Sequence, residues 1–298
     1  KYKDLHISGT INPGVGLPLP NLTTIQRDAL TPTTGATIFN TTLDTIQYYT
    51  GSTWVSEVKP LSLFNLQLNT DTAEQTSITG LTGSNKWSGG VLAPNGKIYC
   101  VPLNSETVLI IDPATDTAEQ TSITGLTGTF KWSGGVLAPN GKIYGVPFES
   151  TTVLIIDPAT DTADTTSIIG LTGSGKWIGG VLSPNGKIYC IPYNSTTVLI
   201  IDTATDTAEQ TSITGLTGTI KWQGGVLAPN GKIYYIPSNS ENVLIIDPAT
   251  DTAEQTSITG LTGTNKWQGG VLAPNGKIYC VPHDSTTVLI IDPATDTA

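Results

Sequence analysis

From residue 86 onwards, short apolar stretches alternate with turn-forming residues in a pattern that returns every 45 residues. The first repeat holds four such stretches, at residues 89–93, 97–101, 107–111 and 117–123. Short β-branched and apolar runs bounded by Gly, Pro, Asn and Asp are typical of strands. No stretch shows a 3.6-residue apolar period of helical length. The pattern therefore predicts a four-stranded antiparallel meander in each repeat.

The turns support this reading. Asn95-Gly96 stands between the first two stretches and predicts a type I′ hairpin, which needs positive φ at both central residues. A second turn sequence, residues 112–116, joins the third stretch to the fourth. Antiparallel hairpins argue against a parallel β-solenoid, the competing architecture for a repeated chain.

Four strands in each 40–50-residue repeat indicate the blade of a β-propeller. The first stretch, Gly-Gly-Val-Leu-Ala, is small enough for the crowded inner strands. The third, Val-Leu-Ile-Ile, is apolar on both faces, as expected of a strand between neighbouring blades. The fourth is largely polar and suits the outer edge. The predicted fold class is all-β: a five-bladed propeller of 45-residue repeats, preceded by a small β-rich module.

The chain ends suggest how the ring closes. The last repeat stops at Ala298, which is equivalent to Ala73. Residues 71–79 are therefore predicted to supply the missing fourth strand of the fifth blade, leaving no open edge. The predicted domains are a linker or attachment segment at 1–20, the small module at 21–60, and the propeller at 61–298.

The small module does not follow the repeat. Thr23 or Thr24 is predicted to cap a short helix over residues 25–30, which Pro32 ends. Three strands follow, at 36–40, 45–50 and 53–56. Such a unit is too small for a core of its own, so it is predicted to need a partner or oligomer contacts.

Charge and composition exclude several kinds of partner. The chain carries 14 Lys and Arg against 24 Asp and Glu, a net charge of −10, without a basic cluster. This balance argues against nucleic acid. Aliphatic runs of four residues are too short for membrane insertion, and no secretory signal opens the chain. Cys100, Cys190 and Cys280 share one repeat position, which predicts buried free thiols compatible with a reducing cytosol.

The positions that differ between repeats predict a ligand surface. They flank the Lys-Trp pair that opens each repeat and lie in the loop between the second and third strands. Aromatic rings stack on sugars, and amides and hydroxyls satisfy sugar hydroxyl groups. In the alternative interpretation, each tryptophan plugs the gap between blades, the lysines are solvated, and the loops merely tolerate change. The candidate ligand contacts are Trp87, Trp132, Trp177, Trp222, Trp267, Asn104, Tyr193, Asn194, Asn239 and His283.

The sequence lacks the residue patterns that catalysis or cofactor binding would need. Asp112, Asp116 and Glu119 have the oxygen ligands that Ca²⁺ prefers, but Asp-Pro and Thr-Asp are common turn pairs, so no metal site is predicted. No repeat supplies a His beside a Ser or Cys nucleophile with an orienting acid, and there is no glycine-rich phosphate loop. The predictions are no cofactor and no enzymatic activity. A depolymerase using paired carboxylates is the enzymatic alternative, because such pairing is spatial.

One stretch resembles a known module. Residues 21–57 hold Leu-Thr-Thr-x-x-Arg-x-Ala-Leu-Thr-Pro, then Gly-x-x-Ile-x-Asn-Thr-Thr, then Tyr-x-Gly-x-x-Trp. This run resembles a short module of bacteriophage tail-fibre and other virion appendage proteins. By architecture, the five blades resemble lectin propellers.

These resemblances imply a virion tail-fibre or spike protein, made in the host cytoplasm and located on the virion. Its implied partners are a host cell-surface glycan and other virion proteins, and the implied oligomer is a trimer. The alternative is a structural or decoration protein in which the propeller is a rigid spacer. Fold class alone does not decide between them.

Overall fold

The computed structural model describes residues 21–40, 43, 45–56 and 78–298. The chain divides into two compact units, residues 1–73 and 74–298. The predicted linker at 1–20 lies outside the described residues, and so do residues 71–77 of the predicted closing strand.

The first unit contains a four-stranded sheet and one short helix. The sheet order is β1 (Asn21–Leu22), β2 (Thr37–Asn40), β3 (Thr45–Tyr49) and β4 (Trp54–Ser56), with β1 parallel to β2 and the other pairs antiparallel. Helix α1 (Thr24–Asp28) begins with a capping box between Thr23 and Gln26. The helix and the three predicted strands therefore occur close to their expected positions.

A polar network occupies the centre of this unit. Gln47 Oε1 accepts hydrogen bonds from Arg27 Nη1 at 2.7 Å and from Asn40 Nδ2 at 2.8 Å. Gln47 Nε2 donates to Ser56 Oγ at 2.8 Å. Four large apolar residues stay exposed: Ile25, Leu30, Leu43 and Tyr48.

The second unit consists of five consecutive antiparallel sheets, confirming the predicted propeller of four-stranded repeats. Each sheet is one blade, and its strands follow chain order from one edge to the other. Blade 1 holds β5–β8, blade 2 β9–β12, blade 3 β13–β16, blade 4 β17–β20 and blade 5 β21–β23. The strands are β5 (Trp87–Leu92), β6 (Ile98–Pro102), β7 (Leu109–Asp112), β8 (Thr117–Glu119), β9 (Trp132–Leu137), β10 (Ile143–Pro147), β11 (Leu154–Asp157), β12 (Thr162–Asp164), β13 (Trp177–Leu182), β14 (Lys187–Pro192), β15 (Leu199–Asp202), β16 (Thr207–Glu209), β17 (Trp222–Leu227), β18 (Ile233–Pro237), β19 (Leu244–Asp247), β20 (Thr252–Glu254), β21 (Trp267–Leu272), β22 (Ile278–Pro282) and β23 (Leu289–Ile291).

The hairpin between the first two strands of each blade differs from the predicted type I′ turn. Gly96 N–H donates to Ala93 O at 3.0 Å, and Ala93 N–H donates to Lys97 O at 2.9 Å. Gly96 has φ +83°, whereas Asn95 is not among the residues with positive φ. Pro94, whose ring holds φ near −65°, suits the first central position of a type I turn and moves the turn one residue earlier.

The first strands of consecutive blades pack against one another at the inner edge, where small residues are required. An added Cβ on Gly134 would lie 3.0 Å from the Cα of Gly179. On Gly224 it would lie 2.5 Å from the Cα of Gly269. The prediction of glycine-rich inner strands is correct, because a side chain at these points would collide with the next backbone.

Four apolar cores lie at the joints between consecutive blades. In the joint of blades 1 and 2, Tyr99, Val101, Val108 and Ile110 pack against residues such as Trp132 of the next blade. We call the Tyr99-type surface of a blade its forward face. The Trp132-type surface, which also carries Ile143, Leu154 and Ile156, is the backward face. The other three joints repeat this composition.

Polar contacts accompany each apolar joint. The Tyr144 hydroxyl of blade 2 donates to the carboxylate of Asp206 in blade 3, and Lys142 Nζ lies 2.6 Å from Asp206 Oδ2. Asn140 Nδ2 donates to Thr203 O of blade 3 at 2.6 Å. Blade 3 bonds blade 4, and blade 4 bonds blade 5, in the same way.

Among residues 78–298, the structure does not show the fifth joint that a closed ring of five blades requires. On the forward face of blade 5, Val281 and Val288 are each 52% exposed, whereas the equivalent Val101 and Val108 are fully buried. On the backward face of blade 1, Ile98 is half-buried although its equivalents in the other blades are buried. Within the described residues, blade 5 has three strands instead of four.

Candidate binding surface

The two loops that vary between repeats meet at one end of each blade. Leu103 N–H donates to Lys86 O at 2.8 Å, and Asn104 N–H donates to Asn85 O at 3.1 Å. The loop between the second and third strands is thereby held beside the residues that precede the first strand. We call the surface formed by these loops in the five blades the loop face.

One residue of each loop pair has left-handed backbone geometry. It lies two residues before each tryptophan, and its φ is between 47° and 54°. The five residues are Asn85, Phe130, Gly175, Ile220 and Asn265. Such φ values are uncommon outside glycine, and a β-branched residue there is a clear outlier. In Phe130, Gly175, Ile220 and Asn265, the backbone N–H at this position bonds to the preceding blade.

The acceptor for that N–H is a side chain that the sequence suggested as a ligand contact. Asn104 Oδ1 accepts from Phe130 N–H at 2.7 Å. Asn194 and Asn239 make the same bond to the next blade at 2.9 and 2.7 Å. In blade 2, Glu149 Oε1 replaces the asparagine and accepts from Gly175 N–H at 2.9 Å. These side chains stabilise the joints, and their contact with a ligand stays a prediction.

The tryptophans do not line the loop face. Trp132, Trp177, Trp222 and Trp267 are buried in the joints, and Trp87 is half-buried at the open edge of blade 1. Each indole N–H donates to a backbone carbonyl, as Trp132 does to Thr152 O at 2.7 Å. A buried indole cannot stack on a sugar. The structure therefore corrects the proposed ligand role of the four buried tryptophans and supports the alternative, in which they fill the gaps between blades. The ligand role of Trp87 stays a prediction.

The lysine before each tryptophan is also buried, except in blade 1, which corrects its interpretation as a solvated charge. Lys131 Nζ donates to Leu103 O, Ser105 O and Gly128 O at 2.8–3.0 Å. It also lies 5.8 Å from the Trp132 ring centroid, within cation–π range. Burial lowers the pKa of the equivalent Lys221 to about 8. Carbonyl oxygens of the preceding blade thus compensate a buried cation at the joint.

Aromatic residues concentrate on the loop face of blades 2 and 3. Phe148 and Tyr193 are half-buried, and their ring centroids lie 5.8 Å apart with a tilted arrangement. Phe130 is 44% exposed, and its carbonyl accepts from the N–H of Glu149, the residue after Phe148. We call Phe130, Phe148 and Tyr193 the aromatic patch. Of the three, only Tyr193 was predicted; the signal for the others was their position in the variable loops of adjacent repeats.

His283 lies on the exposed end of the loop face in blade 5. Its side chain is 54% exposed, and its Nδ1 lies 2.9 Å from Asp284 Oδ1. Asp284 occupies the acceptor position of Asn104, but no following blade offers it an N–H within the described residues. His283 and Asp284 belong to blade 5, whereas Tyr193 belongs to blade 3. The structure therefore does not bring His283 together with Tyr193.

The described residues hold no group of three or more His, Cys, Asp or Glu side chains arranged to bind a metal ion. Asp112 instead closes its own turn, since its Oδ1 accepts from Ala114 N–H at 2.9 Å. Within the described part of the chain, no helix is both long and apolar enough to cross a membrane.

Comparison with known families concerns the first unit. Residues 4–73 match the family described as phage tail like trimerisation region. The match suggests a structural protein of a phage tail, located in the virion and assembled as a homotrimer. No curated protein matches the sequence.

Solved structures similar to this chain are propellers. Virginiamycin B lyase from Staphylococcus aureus has a TM-score of 0.58 at 11% identity, covering 73% of this chain and 70% of the lyase. A streptogramin B lyase has a TM-score of 0.56 at 10% identity, covering 83% and 76%. The extracellular domain of a hybrid two-component system from B. thetaiotaomicron reaches 0.58 at 14% identity, covering 76% and 30%. At these identities the likeness concerns the fold alone.

Proposed function

We propose that this chain is a non-enzymatic tail-fibre or spike protein whose loop face binds a carbohydrate of the host surface. The first unit would join three copies to one another and to other virion proteins. The match of residues 4–73 to a phage tail like trimerisation region supports the location and the trimer. The exposure of Ile25 and Leu30 in so small a unit supports a covered oligomer surface.

The observation that carries carbohydrate binding is the aromatic patch. Surface aromatic rings are costly to leave in water, and sugars present apolar faces that rings can cover. Glu149, whose Oε1 accepts from Ser174 Oγ at 2.9 Å, places a carboxylate beside the patch. Asn194, which follows Tyr193, adds an amide. A ring surface bordered by polar groups is better suited to binding a sugar than to binding a flat surface of another protein.

Trimerisation would strengthen a weak site. An aromatic contact is worth about 0.5–1.5 kcal/mol, so a single patch would bind a sugar weakly. Three copies on one fibre make the later binding events intramolecular, which raises the apparent affinity without new contacts. The proposal therefore expects weak binding of each site and strong binding of the assembled protein.

The test compares Tyr193→Ala with Leu103→Ala, the same position in blade 1, in the full chain. Binding is measured on a glycan array and on envelope material of the host. A loss of about 1 kcal/mol corresponds to a fivefold weaker Kd for Tyr193→Ala, while Leu103→Ala should bind as the unmodified chain does. Far-UV circular dichroism confirms folding of both. Equal binding by both variants, or no binding to host material, would contradict carbohydrate recognition.

A second candidate function, a rigid structural spacer, is favoured by the joints. Each joint combines an apolar core, a buried lysine with carbonyl partners, and a tyrosine–aspartate bond. Such a unit would resist proteases and hold its shape. This function predicts that loop substitutions leave adsorption to the host unchanged, whereas deletion of residues 78–298 weakens particle assembly.

A further inference from the structure

The joint of blades 2 and 3 differs from the other joints at one position of the loop face. This position, two residues before the tryptophan, holds Gly175 in blade 3. Its equivalents, which all carry a side chain, are Asn85, Phe130, Ile220 and Asn265. A Cβ atom added to Gly175 would lie 2.5 Å from Asn194 Nδ2 and 3.4 Å from Phe148 Cζ. Because Gly175 has no side chain, Phe148 of blade 2 and Asn194 of blade 3 come close to the same point.

Two half-buried side chains beside Gly175 are only partly used by the fold. Glu149 Oε1 accepts from Gly175 N–H at 2.9 Å, and no described group donates to Oε2. Asn194 Oδ1 accepts from Ile220 N–H at 2.9 Å, and no described group accepts from Nδ2. The equivalent amides, whose Nδ2 reaches a backbone carbonyl at 3.4 Å, are those of Asn104 and Asn239. One carboxylate oxygen and one amide N–H group thus remain unbonded next to the aromatic patch.

The lysines of residues 78–298 are engaged in contacts of the fold. In each blade, the lysine before the tryptophan donates to one or more backbone carbonyls, as Lys176 Nζ does to Phe148 O at 2.9 Å. The second lysine of each blade lies 2.6–3.9 Å from an aspartate carboxylate. Burial lowers the pKa of Lys176, and the charge of Glu149 partly counters this effect. Lys176 is 2% exposed, so a ligand on the aromatic patch meets the Glu149 carboxylate and not the ammonium group.

These groups have the chemistry of a site for an uncharged sugar. A carboxylate oxygen only accepts hydrogen bonds, an amide N–H group only donates, and a sugar hydroxyl does both. A carboxylate or phosphate on the sugar would meet the like charge of Glu149, and like charges brought together in an interface weaken binding. We propose that the aromatic patch selects an uncharged sugar unit at the joint of blades 2 and 3, an inference that rests on the proposed carbohydrate binding. One hydroxyl donates to Glu149 Oε2, another accepts from Asn194 Nδ2, and Gly175 gives Asn194 the room to take this position.

The experiment uses the full chain and a matched pair of ligands. The ligands are the neutral glycan that binds most tightly on the array and the same glycan after oxidation of its primary hydroxyl groups to carboxylates. The oxidised glycan should bind about tenfold more weakly to the unmodified chain. Glu149→Gln keeps an oxygen for the Gly175 N–H and removes the charge, so this difference should shrink to about threefold or less. Glu241→Gln removes an exposed carboxylate of the loop face in blade 4 and changes the net charge equally, so it should keep the difference.

A second variant tests the position of the site. Gly175→Asn introduces the residue that blades 1 and 5 carry in the same backbone conformation. The new side chain would displace Asn194 Nδ2 and Phe148, so binding of the neutral glycan should weaken about tenfold. The displaced Nδ2 ends a flexible side chain, so the midpoint of thermal unfolding should fall by no more than about 4 °C. Asn265→Gly, the reverse exchange in blade 5, is the control and should leave binding unchanged.

The outcomes separate this inference from the function on which it rests. Equal or tighter binding of the oxidised glycan by the unmodified chain would overturn the inference and leave carbohydrate binding in place. So would the same difference between the two glycans in Glu149→Gln and Glu241→Gln, or an equal effect of Gly175→Asn and Asn265→Gly. If Gly175→Asn does not fold, Glu149→Gln decides the question, because its acceptor oxygen preserves the contact with Gly175. No binding of any glycan on the array would overturn the proposed function together with the inference.

Discussion

The tyrosine of each joint offers a prediction with a control built into the chain. In blade 2, Tyr144 is buried, and its hydroxyl accepts from Asn140 Nδ2 at 2.8 Å and donates to the Asp206 carboxylate. In blade 5, the equivalent Tyr279 has only the asparagine contact among the described residues. The substitution Tyr→Phe removes one oxygen atom at either site, so the difference between the variants isolates the bond across the joint.

The expected magnitude follows from the partner. A hydrogen bond to a charged group contributes about 1.5–3 kcal/mol, and Asp206 is left with Lys142 as its remaining partner across the joint. Tyr144→Phe should therefore lower the free energy of unfolding by about 2 kcal/mol. Tyr279 is half-buried, and its hydroxyl bonds no following blade within the described residues, so Tyr279→Phe should change the free energy of unfolding by less than about 0.5 kcal/mol.

Thermal and urea unfolding, followed by circular dichroism and tryptophan fluorescence, measure both variants. For a unit of this size, about 2 kcal/mol corresponds to a midpoint lowered by about 4–8 °C. The double variant with Asp206→Asn should cost less than the sum of the single variants, because both remove the same bond. Equal midpoints for Tyr144→Phe and Tyr279→Phe would refute the assignment of stabilising energy to the joint network.

Three further predictions follow from single residues. Burial raises the pKa of Asp206, but hydrogen bonds from its lysine and tyrosine partners outweigh burial and leave the pKa below its ordinary value. The contribution of Asp206 to stability is therefore present above about pH 4 and is lost as the pH falls through its folded-state pKa. Unfolding midpoints of the unmodified chain and of Asp206→Asn, measured over a series of pH values, should differ at neutral pH and become equal on acidification. The buried Tyr235 hydroxyl has no hydrogen-bond partner within the described part of the chain, so Tyr235→Phe should leave the urea midpoint unchanged or raise it, and a lowered midpoint would contradict this expectation. Gly224→Ala should destabilise more than Gly231→Ala, because only the first Cβ meets a backbone, that of Gly269, while both glycines have positive φ; equal midpoints would contradict close packing of the inner strands.

The sequence predicted those elements whose pattern of apolar and polar residues follows their burial in the fold. The 45-residue period, the polar fourth strand and the paired glycines predict the blades, because each element's environment repeats with its sequence. The helix of the first unit was also predictable, since Thr23 and Gln26 form a local capping box. Local hydrogen bonding and alternation of burial are both readable in a linear chain.

The features that the sequence did not predict concern residues whose partners belong to a neighbouring blade. Lys131 and Trp132 look like loop residues in sequence, but the carbonyls that accept from Lys131 Nζ include those of residues 103 and 105, more than 25 positions earlier. The bond that Asn104 Oδ1 accepts from Phe130 N–H was likewise not predicted, while the ligand contact of Asn104 stays a prediction. A repeat shows which positions vary and hides which positions touch, because the lysine, asparagine and tyrosine bonds across a joint each pair different repeat positions.

The bond from Asn104 to Phe130 reaches a main-chain amide and makes no use of the phenyl ring. The same amide is used where the residue is Gly175 or Ile220, so its side chain is free to change without cost to the neighbouring contact. Genetic recombination between the near-identical coding segments would therefore yield folded products with reordered loop chemistry. Related proteins could thus acquire new loop-face surfaces by exchanging whole repeats, without accumulating point mutations.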